Sequence, residues 1–410
     1  MAVVGRRLVN VLKSKGLPNI SICQSLSMGT NKNDSNVNIV DENSIRKSVF
    51  ISQSNDIFTN LALEDWFYRN YSFANHHVLL LWRNNPCVVI GRHQNPWLES
   101  NYQALDDDGI ALARRNSGGG TVYHDSGNLN MTFFTPRQQY NRRYNLEIIS
   151  RALYREWGLK TYINKREDIV VNGDYKISGT AAKLGRPNAY HHCTLLVDVN
   201  KKKLSLALER KEQGIVTNAT ESTCSPVRNV TDLNSHIQVG NLVNAIGWEY
   251  LRTKALTLED GGNYLVQQQK GFQMINPTED WFPGLNQLRS EFKSWQWNYG
   301  KSPKFTINRL LKVPVITKKT TTTDPIANEH YHLLNLTIQV KNGIVEDIKL
   351  GLPSDLVQET TNPEASVISN FRGTKYNHKV TDKIISALGC TCVPVDVTQN
   401  IKTNNIAATQ

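Results

Sequence analysis

The sequence lacks the features that mark several common classes of protein. Within its 410 residues, no apolar run approaches the roughly 20 residues of a bilayer-spanning helix, so we expect a soluble protein without a membrane span. There is no run of Lys or Arg, no zinc-finger spacing and no aromatic RNA-binding signature. The net charge of +11 therefore does not predict a nucleic-acid partner. No internal repeat is visible.

Cysteine is also scarce. Six cysteines are spread over the chain, and none forms a Cys-x-x-Cys pair. A chain of this length does not need disulfides, so we expect reduced thiols in an intracellular compartment. Cys390 and Cys392 have no further Cys or His partner, and no His/Asp cluster has metal-ligand spacing. We predict no metal site of the protein itself, since any Mg²⁺ would arrive with a nucleotide phosphate.

Acidic residues are absent from residues 1–33, which are basic and rich in Ser and Asn. Val4, Leu8, Val11 and Leu12 would lie on one face of a helix there. This composition is typical of a mitochondrial transit peptide, which we predict for residues 1–33. A disordered cytosolic tail is the alternative.

Helix and strand patterns alternate over residues 46–265 and predict one large core with mixed sheets, an α+β fold of α/β-like character. The predicted helices cover residues 56–71, 98–107, 145–157 and 239–250, with Asn55 or Asp56 capping the first and Asn145 the third. The main predicted strands cover residues 47–52, 78–82, 87–91, 110–113, 129–134, 169–172, 176–179 and 194–199.

A smaller α+β domain is predicted over residues 275–398. It would contain a helix at 285–295, a strand at 305–310, a hairpin of strands 332–340 and 344–350, and a closing helix at 380–388. Asn342-Gly343 is a strong turn signal for that hairpin. A Lys/Thr tract at residues 318–324 is predicted to be a loop.

Three consecutive glycines stand in the stretch Arg-Arg-Asn-Ser-Gly-Gly-Gly-Thr-Val-Tyr-His-Asp at residues 114–125, between two predicted strands. Such glycines are costly in entropy, and they fit a backbone that takes positive φ or closely approaches another group. Arg114 and Arg115 before them and His124 after them favour an anionic ligand, held by guanidinium and backbone N–H groups. A tight hairpin with arginines in solvent is the alternative.

Two more motifs, Gly-Asp-Tyr-Lys-Ile-Ser-Gly-Thr-Ala at residues 173–181 and His-His-Cys-Thr-Leu-Leu at 191–196, complete a three-part signature. Asn-Leu-Ala-Leu-Glu at 60–64, Val-Ile-Gly-Arg-His-Gln-Asn at 89–95 and the segment 295–304 extend it over nearly all of the mature chain. Together these motifs resemble the lipoate–protein ligase and lipoyltransferase family. The Cys at 193, Gly-Thr-Ala-Ala-Lys at 179–183 and Thr-Asn-Ala-Thr at 217–220 are similar to its mitochondrial lipoyltransferase branch.

The resemblance implies a catalytic fold shared with biotin protein ligases, followed by a small accessory domain. It implies transfer of a lipoyl or octanoyl group to a specific lysine of lipoyl domains in 2-oxo acid dehydrogenase E2 subunits and of the glycine-cleavage H protein. The expected protein is a monomer of the mitochondrial matrix. Its bound substrate would be lipoyl-AMP or octanoyl-AMP, without a permanent cofactor. Free acid with ATP and Mg²⁺, or an acylated carrier protein, are alternative donors.

Lys176 is the expected catalytic residue, because a lysine could donate both to the acyl carbonyl and to a phosphate oxygen. Arg115 and Arg166 are further candidates for the phosphate or carbonyl. The His124, His191 and His192 side chains have either orienting or structural roles. The resemblance and the glycine motif together predict an acyl-AMP site formed by Arg115, Ser117, Gly118, Gly119, Gly120, Thr121, Val122, Tyr123, Arg166, Lys176, Thr194, Thr217 and Ala219.

Two other classes of function stay open from the sequence. A cysteine-dependent amidotransferase would form an acyl-enzyme on Cys193, although a position in a buried strand favours a packing role for that thiol. A non-catalytic module would only dock lipoyl domains, and the presence of Lys176 with the triple glycine argues against it.

Overall fold

The computed structural model describes residues 41–314, 331–351, 364–366, 371–387 and 391–392. The predicted transit peptide and the Lys/Thr tract lie outside these ranges. The helices in chain order are α1 (Ile57–Asn70), α2 (Pro96–Glu99), α3 (Tyr102–Asp108), α4 (Arg142–Trp157), α5 (Lys201–Ala207), α6 (Val239–Arg252), α7 (Gly262–Gln268), α8 (Leu285–Lys293), α9 (Trp295–Asn298) and α10 (His378–Ala387). None of these helices is both long enough and apolar enough to cross a membrane.

The strands of the described residues form four sheets, which together with the helices make a mixed α+β fold. In chain order they are β1 (Arg46–Ser52), β2 (His76–Trp82), β3 (Cys87–Ile90), β4 (Ala111–Arg114), β5 (Val122–His124), β6 (Asn128–Pro136), β7 (Tyr162–Ile163), β8 (Ile169–Val171), β9 (Tyr175–Ser178), β10 (Thr180–Leu184), β11 (Asn188–Leu196), β12 (Ile215–Thr217), β13 (Gly271–Ile275), β14 (Phe305–Pro314), β15 (Tyr331–Lys341), β16 (Ile344–Gly351), β17 (Glu364–Ser366) and β18 (Thr391–Cys392).

The largest sheet has the strand order β10-β11-β6-β2-β1-β13. Strand β1 is parallel to β2 and β13, whereas β2, β6, β11 and β10 pair antiparallel in turn. Successive side chains of a strand point to opposite faces, so both faces of this sheet can be apolar. Leu79 and Leu81 pack under α4 and α6, and Val78 and Leu80 pack under α1 and α8. The sheet is therefore an interior layer between two pairs of helices.

A smaller three-stranded sheet, β4-β3-β5, positions the glycine motif. Strands β3 and β4 are parallel, and Ile90 pairs with Arg114 at their carboxyl ends. The segments that follow these two strands therefore start side by side. Gly91 and Gly119 lie so close that a Cβ on Gly91 would overlap the carbonyl of Gly119. The residue at position 91 must consequently be glycine.

The other two sheets complete the frame of the molecule. Strands β7, β8 and β9 form an antiparallel meander, and β9 leads through Gly179 into the edge strand β10 of the largest sheet. The C-terminal sheet has the order β12-β14-β15-β16-β17, with β18 beside β14. Its core includes Phe305 and Tyr376 and also Trp97, which comes from α2 in the first half of the chain.

Most of the predicted elements are confirmed, with two corrections. The helix predicted at 98–107 is two helices, α2 and α3, because Ser100 between them is extended and Asn101 caps the second. Asn145 is not a cap, since α4 begins at Arg142 with Asn141 as its N-cap residue. The apolar pattern of α4 starts only after its polar first turn, which misplaced the predicted start. Asn145 is buried, and its side-chain nitrogen lies 3.2 Å from His191 Nδ1.

Two short strands pair with strands on the other side of the predicted domain boundary. Strand β13 follows residue 265 but pairs with β1 in the largest sheet. Strand β12 precedes residue 265 but pairs with β14 in the C-terminal sheet. The ranges 46–265 and 275–398 remain predictions, and these exchanged strands indicate that the two parts share a packed boundary.

Candidate active site

A cavity of about 330 Å³ opens between the glycine loop, here residues 115–121, and strands β9, β10 and β11. The turn between β7 and β8 and the segment 220–223 close its sides. The residues lining it are Leu61, Trp82, Val89, Arg115, Gly119, Gly120, Thr121, Val122, His124, Asn130, Arg142, Arg166, Asp168, Lys176, Gly179, Thr180, Ala181, His192, Cys193, Thr194, Thr220, Glu221, Ser222 and Thr223.

The glycine loop takes a conformation that only glycine adopts easily at one of its positions. Gly119 has a φ of +85°, in the left-handed region. A Cβ there would lie 3.1 Å from Arg115 Nη2 and 3.4 Å from Ala181 Cβ, between the loop and β10. A Cβ on Gly118 would meet no atom within 4 Å. The loop therefore approaches the cavity wall at Gly119, as the sequence predicted for the triple glycine as a whole.

Arg115 shapes the glycine loop from within. Its Nε donates to Ser117 Oγ, and its Nη2 donates to the carbonyl oxygens of Gly118 and Gly120, both at 2.6 Å. Nη1 donates to the carbonyl of Val89 at 3.0 Å. Burial lowers the pKa of Arg115 to about 10, so the guanidinium stays charged at neutral pH. Most of its donors are used by the loop, and Arg115 contributes mainly a positive charge beside the cavity.

Arg114, the other arginine of the motif, does not line the cavity. It is fully buried, and its Nη1 donates to the carbonyls of Gly91, Arg92 and Gln94. Its Nε and Nη2 donate to the carbonyl of Asn298 in α9. Arg114 thus joins the segment after β3 to the C-terminal half of the chain.

Helix α1 anchors the glycine loop through two adjacent carboxylates. Glu64 Oε1 lies 2.9 Å from His192 Nδ1, and His192 Nε2 lies 2.8 Å from Ser117 Oγ. Asp65 Oδ1 accepts from Asn116 Nδ2 at 2.7 Å. We call the first set, Glu64, His192 and Ser117, the relay. The Asn-Leu-Ala-Leu-Glu motif of the sequence therefore supplies one end of a buried network that ends in the loop.

Cationic side chains gather at one end of the cavity. Lys176 Nζ lies 2.8 Å from Asp168 Oδ1, and Arg166 Nε lies 3.9 Å from Asp168 Oδ2. Arg142 Nη1 lies 2.8 Å from Glu167 Oε2. Neither Asp168 nor Arg142 is among the site residues predicted from the sequence. A signal for Asp168 was present, because it directly precedes the apolar strand β8, but Lys-Arg-Glu-Asp at 165–168 has the appearance of a solvated turn.

The structure brings together most, though not all, of the predicted site residues. Those that line the cavity are Arg115, Gly119, Gly120, Thr121, Val122, Arg166, Lys176 and Thr194. Ser117 and Gly118 lie behind the lining, where both hydrogen-bond to Arg115. Tyr123 points away from the cavity into a core with Val88 and Ile90.

Thr217 and Ala219 also lie outside the lining residues. Thr217 is at the end of β12, where its hydroxyl donates to the carbonyl of Lys304 at 3.1 Å. The amide of Ala219 donates back to Thr217 Oγ1. The next residue, Thr220, does line the cavity, and its N–H donates to the carbonyl of His93. This segment therefore supports the cavity wall that residues 220–223 form.

Comparison with known proteins decides the family. The sequence pattern of the lipoyl protein ligase A/B catalytic domain matches residues 56–249. The mitochondrial lipoyl amidotransferase LIPT1 of Homo sapiens is 39% identical over 356 residues, 86% of this chain and 88% of the relative. The chain belongs to the lipoyl protein ligase A/B family. The lipoate-protein ligase A of Psychrobacter cryohalolentis is 36% identical over 60% of this chain and 70% of its own.

A solved structure supports the same conclusion for the fold. LipL1 of P. falciparum in complex with lipoate superposes with a TM-score of 0.54 and 27% sequence identity, over 74% of this chain and 84% of that chain. The family membership inferred from the motifs is thus confirmed, as is the expectation of an enzyme that transfers lipoyl groups to proteins.

Burial makes His124, His191 and Cys193 poor acid–base or nucleophilic groups, and His191 does not line the cavity of this family member. His124 is buried against Arg115 and hydrogen-bonds Asn84, and burial lowers its pKa to about 3. His191 is fully buried, and burial lowers its pKa as well. Cys193 lines the cavity, but burial raises the pKa of its thiol far above the usual range. A neutral thiol is a weak nucleophile, so Cys193 is a packing residue of β11 in this structure.

No cluster of three or more His, Cys, Asp or Glu side chains within the described ranges could hold a metal ion.

Proposed function

We propose that this protein transfers a lipoyl or octanoyl group from an acyl-AMP donor to a specific lysine of an apo lipoyl domain. The acceptors would be the lipoyl domains of 2-oxo acid dehydrogenase E2 subunits and the glycine-cleavage H protein. The observation that carries the proposal is a single cavity with a cationic end and an apolar wall. An acyl-AMP has the same two parts, an anionic phosphate and an apolar chain.

The cationic end fits the phosphate. Arg142, Arg166 and Lys176 all line the cavity, and Arg115 adds its charge from beneath the glycine loop. Each of the first three has a carboxylate neighbour from residues 167–168, so a phosphate would compete with those carboxylates for the same donors. Charge-assisted hydrogen bonds of this kind are stronger than neutral ones.

The apolar wall fits the acyl chain. Leu61, Trp82 and Val89 come from three different elements and reach the cavity from the core beneath α1. Val122 and Ala181 continue this wall toward the glycine loop. The relative LipL1 was solved with lipoate bound, which supports a lipoyl chain as the guest of this cavity.

Lys176 would be the main catalytic group. A free carboxylate does not react with an amine, whereas the mixed anhydride with AMP has a good leaving group. Attack places negative charge on the acyl oxygen and then on the departing phosphate. A preorganised ammonium beside both atoms stabilises that charge. Lys176 is suited to this task because its side chain is held in the cavity by Asp168 rather than extended into solvent.

A thioester on Cys193 is the competing mechanism. Transfer by Cys193→Ala protein at the wild-type rate is expected here, because burial raises the pKa of the thiol, which packs in the core with its Sγ 3.9 Å from the Met131 carbonyl oxygen. Loss of transfer in a folded Cys193→Ala protein would favour the acyl-enzyme instead.

The donor is tested by incubating the purified protein with an apo lipoyl domain and one donor at a time. Lipoyl-AMP, octanoyl-AMP, lipoate with ATP and Mg²⁺, and an octanoylated carrier protein are compared by the mass increase of the acceptor. We expect transfer from acyl-AMP. Transfer from free lipoate at an equal rate would make the protein a complete ATP-dependent ligase, and no transfer from any donor would overturn the proposal.

We also propose a location in the mitochondrial matrix, which the transit-peptide composition of residues 1–33 supports. The human relative is named as mitochondrial, in agreement with this. Fusion of residues 1–33 to a fluorescent protein should direct it to the matrix, and the mature cellular protein should lack them. A mature chain that begins at Met1, or a fusion that stays in the cytosol, would contradict the proposal.

A further inference from the structure

The cavity lining includes a buried carboxylate, Asp168, which forms an ion pair with Lys176. Among the described residues that line the cavity, Asp168 and Glu221 are the carboxylates. Glu221 is 60% exposed at its side chain and pairs with Arg210, whereas Asp168 is 7% exposed. Asp168 is thus the buried carboxylate among the described residues of the cavity lining.

The backbone and one neighbour hold Asp168 in place. Its amide donates to Asn164 Oδ1 at 3.0 Å, which fixes the turn before β8. Oδ1 is 2.8 Å from Lys176 Nζ, and Oδ2 faces Arg166 Nε at 3.9 Å, beyond hydrogen-bond distance. The Arg142–Glu167 pair is the next charged neighbour along the turn. Oδ2 therefore keeps lone pairs for a further donor.

An acceptor lysine has to lose a proton before it can attack. Its amine has a pKa of about 10.4, so nearly all of it is ammonium at neutral pH. The other candidate bases in the cavity are occupied or disfavoured. His192 has one nitrogen on Glu64 and the other on Ser117. His124 hydrogen-bonds Asn84, and burial lowers its pKa to about 3, which makes it a weak base.

We propose that Asp168 receives the ammonium group of the acceptor lysine and takes its proton. This role rests on the proposed transfer from acyl-AMP. Asp168 would then contact both Lys176 and the acceptor lysine. It would thereby hold the attacking amine close to the ammonium group that stabilises charge on the acyl group.

The acceptor nitrogen loses two protons during the transfer, and AMP is the leaving group. One proton passes from the ammonium nitrogen to Asp168 Oδ2, and the freed electron pair forms the C–N bond at the acyl carbon. The bond from that carbon to the phosphate oxygen breaks, and AMP leaves with the electron pair. The second proton of the new amide nitrogen leaves to a phosphate oxygen or water. Asp168 returns its proton to solvent after the acceptor departs.

Asp168→Asn tests this role, because it keeps the shape and removes the base. Single-turnover transfer from lipoyl-AMP to an apo lipoyl domain should fall about 10²-fold or more at neutral pH, the range of general-base catalysis. The deficit should shrink as the pH rises, because hydroxide then deprotonates the acceptor. Affinity for an unreactive acyl-AMP analogue should stay the same or improve, since Lys176 and Arg166 keep their charges and lose a competing anion.

A matched control is Asp280→Asn, which makes the same change at an exposed aspartate in the segment between β13 and α8, outside the cavity lining. It should leave the rate and its pH dependence unchanged. The proposal would be overturned if the transfer rate of Asp168→Asn protein fell by the same factor at every pH, or if it fell because the analogue bound more weakly. In either case Asp168 would act only by positioning Lys176. Full activity in the folded variant would overturn it as well.

A second test uses the wild-type protein, so its result does not depend on whether a variant folds. If Asp168 takes the ammonium form, single-turnover transfer should change less than threefold between about pH 6.5 and pH 8.5. If only the neutral amine enters, the rate should rise about tenfold per pH unit below the amine pKa. A tenfold rise per unit overturns the role of Asp168 while leaving the transferase intact. No transfer from acyl-AMP at any pH would instead overturn the proposed function.

Discussion

Lys176 and Asp168 form the ion pair on which the proposed chemistry depends. The lysine side chain is 21% exposed, and its end lies beside the backbone of Gly179. A Cβ on Gly179 would lie 3.5 Å from Lys176 Cε. That distance is an ordinary van der Waals contact, so the end of the Lys176 side chain packs along the backbone at Gly179.

Replacement of Lys176 by Met should separate charge from packing. Lys176→Met keeps the apolar stem and removes the cation, so single-turnover transfer from lipoyl-AMP should fall about 10²–10³-fold, the usual loss for one preorganised donor. Lys176→Arg should restore little of the transfer rate, because a planar guanidinium differs in shape from a compact ammonium. Full activity in Lys176→Met protein with an unchanged thermal melt would contradict the mechanism.

The glycine loop offers a comparison between neighbours. Gly119→Ala should strain the backbone at a φ of +85° and bring Cβ within 3.1 Å of Arg115 Nη2, weakening acyl-AMP binding about tenfold or more. Gly118→Ala should have a much smaller effect, because its Cβ would meet nothing within 4 Å. The measurement is the affinity for an unreactive acyl-AMP analogue. Equal affinities in the two variants would contradict the close approach assigned to Gly119.

At the residue scale, the sequence predicted the glycine loop and Lys176 because both belong to local patterns with a physical meaning. It assigned Arg115 to the ligand, whereas the guanidinium spends most of its donors on Ser117, Gly118 and Gly120. Tyr123 follows the same motif, but the alternation of β5 turns it into the core. Which side of a three-residue strand faces a cavity depends on pairing with β3, and that pairing is not local.

At the scale of elements, helix α1 is more than a core helix. Its apolar residues pack under the largest sheet, and its consecutive carboxylates Glu64 and Asp65 reach the glycine loop from below. The apolar pattern predicted the helix, and Asp56, one of the two predicted capping residues, is its N-cap. It could not predict the relay, because the contact of Glu64 with His192 spans 128 residues.

Removing the charge of Glu64 should loosen the loop without touching the reacting atoms. In Glu64→Gln, His192 loses its carboxylate hydrogen-bond partner, and the affinity for the acyl-AMP analogue should fall about 10-fold, in the range for hydrogen bonds to charged groups. The single-turnover rate at saturating donor should change less than threefold. A loss of rate with unchanged affinity would contradict a positioning role for the relay.

Short strands show the limit of sequence patterns at this scale. Strand β12 has three residues and β10 has five, too few for a periodicity to stand out from a loop. Strand β10 nevertheless carries Ala181 on the cavity wall, and β12 joins the C-terminal sheet. Their partners, β11 and β14, fix them through pairing rather than through their own composition.

At the scale of the whole molecule, buried histidines tie stability to pH. His77 lies in β2 with 2% of its surface exposed, and its Nε2 lies 2.6 Å from Gln139 Oε1. Burial, with the nearby Lys47, lowers the pKa of His77 to about 4. Burial likewise lowers the pKa of His124 to about 3, with Arg115 and His192 adding to the effect. Both side chains are neutral in the folded protein at pH values where an unfolded chain would protonate them.

The consequence is a loss of stability in mild acid. An unfolded histidine has a pKa of about 6.5, so between that value and about 4 the unfolded state binds more protons than the folded state. The free energy of unfolding should then fall with decreasing pH, by at most about 1.4 kcal/mol per pH unit for each buried histidine. The contribution is complete above pH 6.5 and is lost progressively below it.

In His77→Gln, the slope of the unfolding free energy against pH should fall by the amount that corresponds to about one bound proton. Glutamine can keep a hydrogen bond to Gln139 but cannot titrate. His236→Gln, at an exposed histidine outside the cavity, is the matched control and should leave the slope unchanged. Denaturant unfolding at a series of pH values between about 4.5 and 7.5 measures the slope directly. Parallel curves for wild-type and His77→Gln protein would mean that His77 is protonated in the folded state. Burial beside Lys47 would then not control its charge.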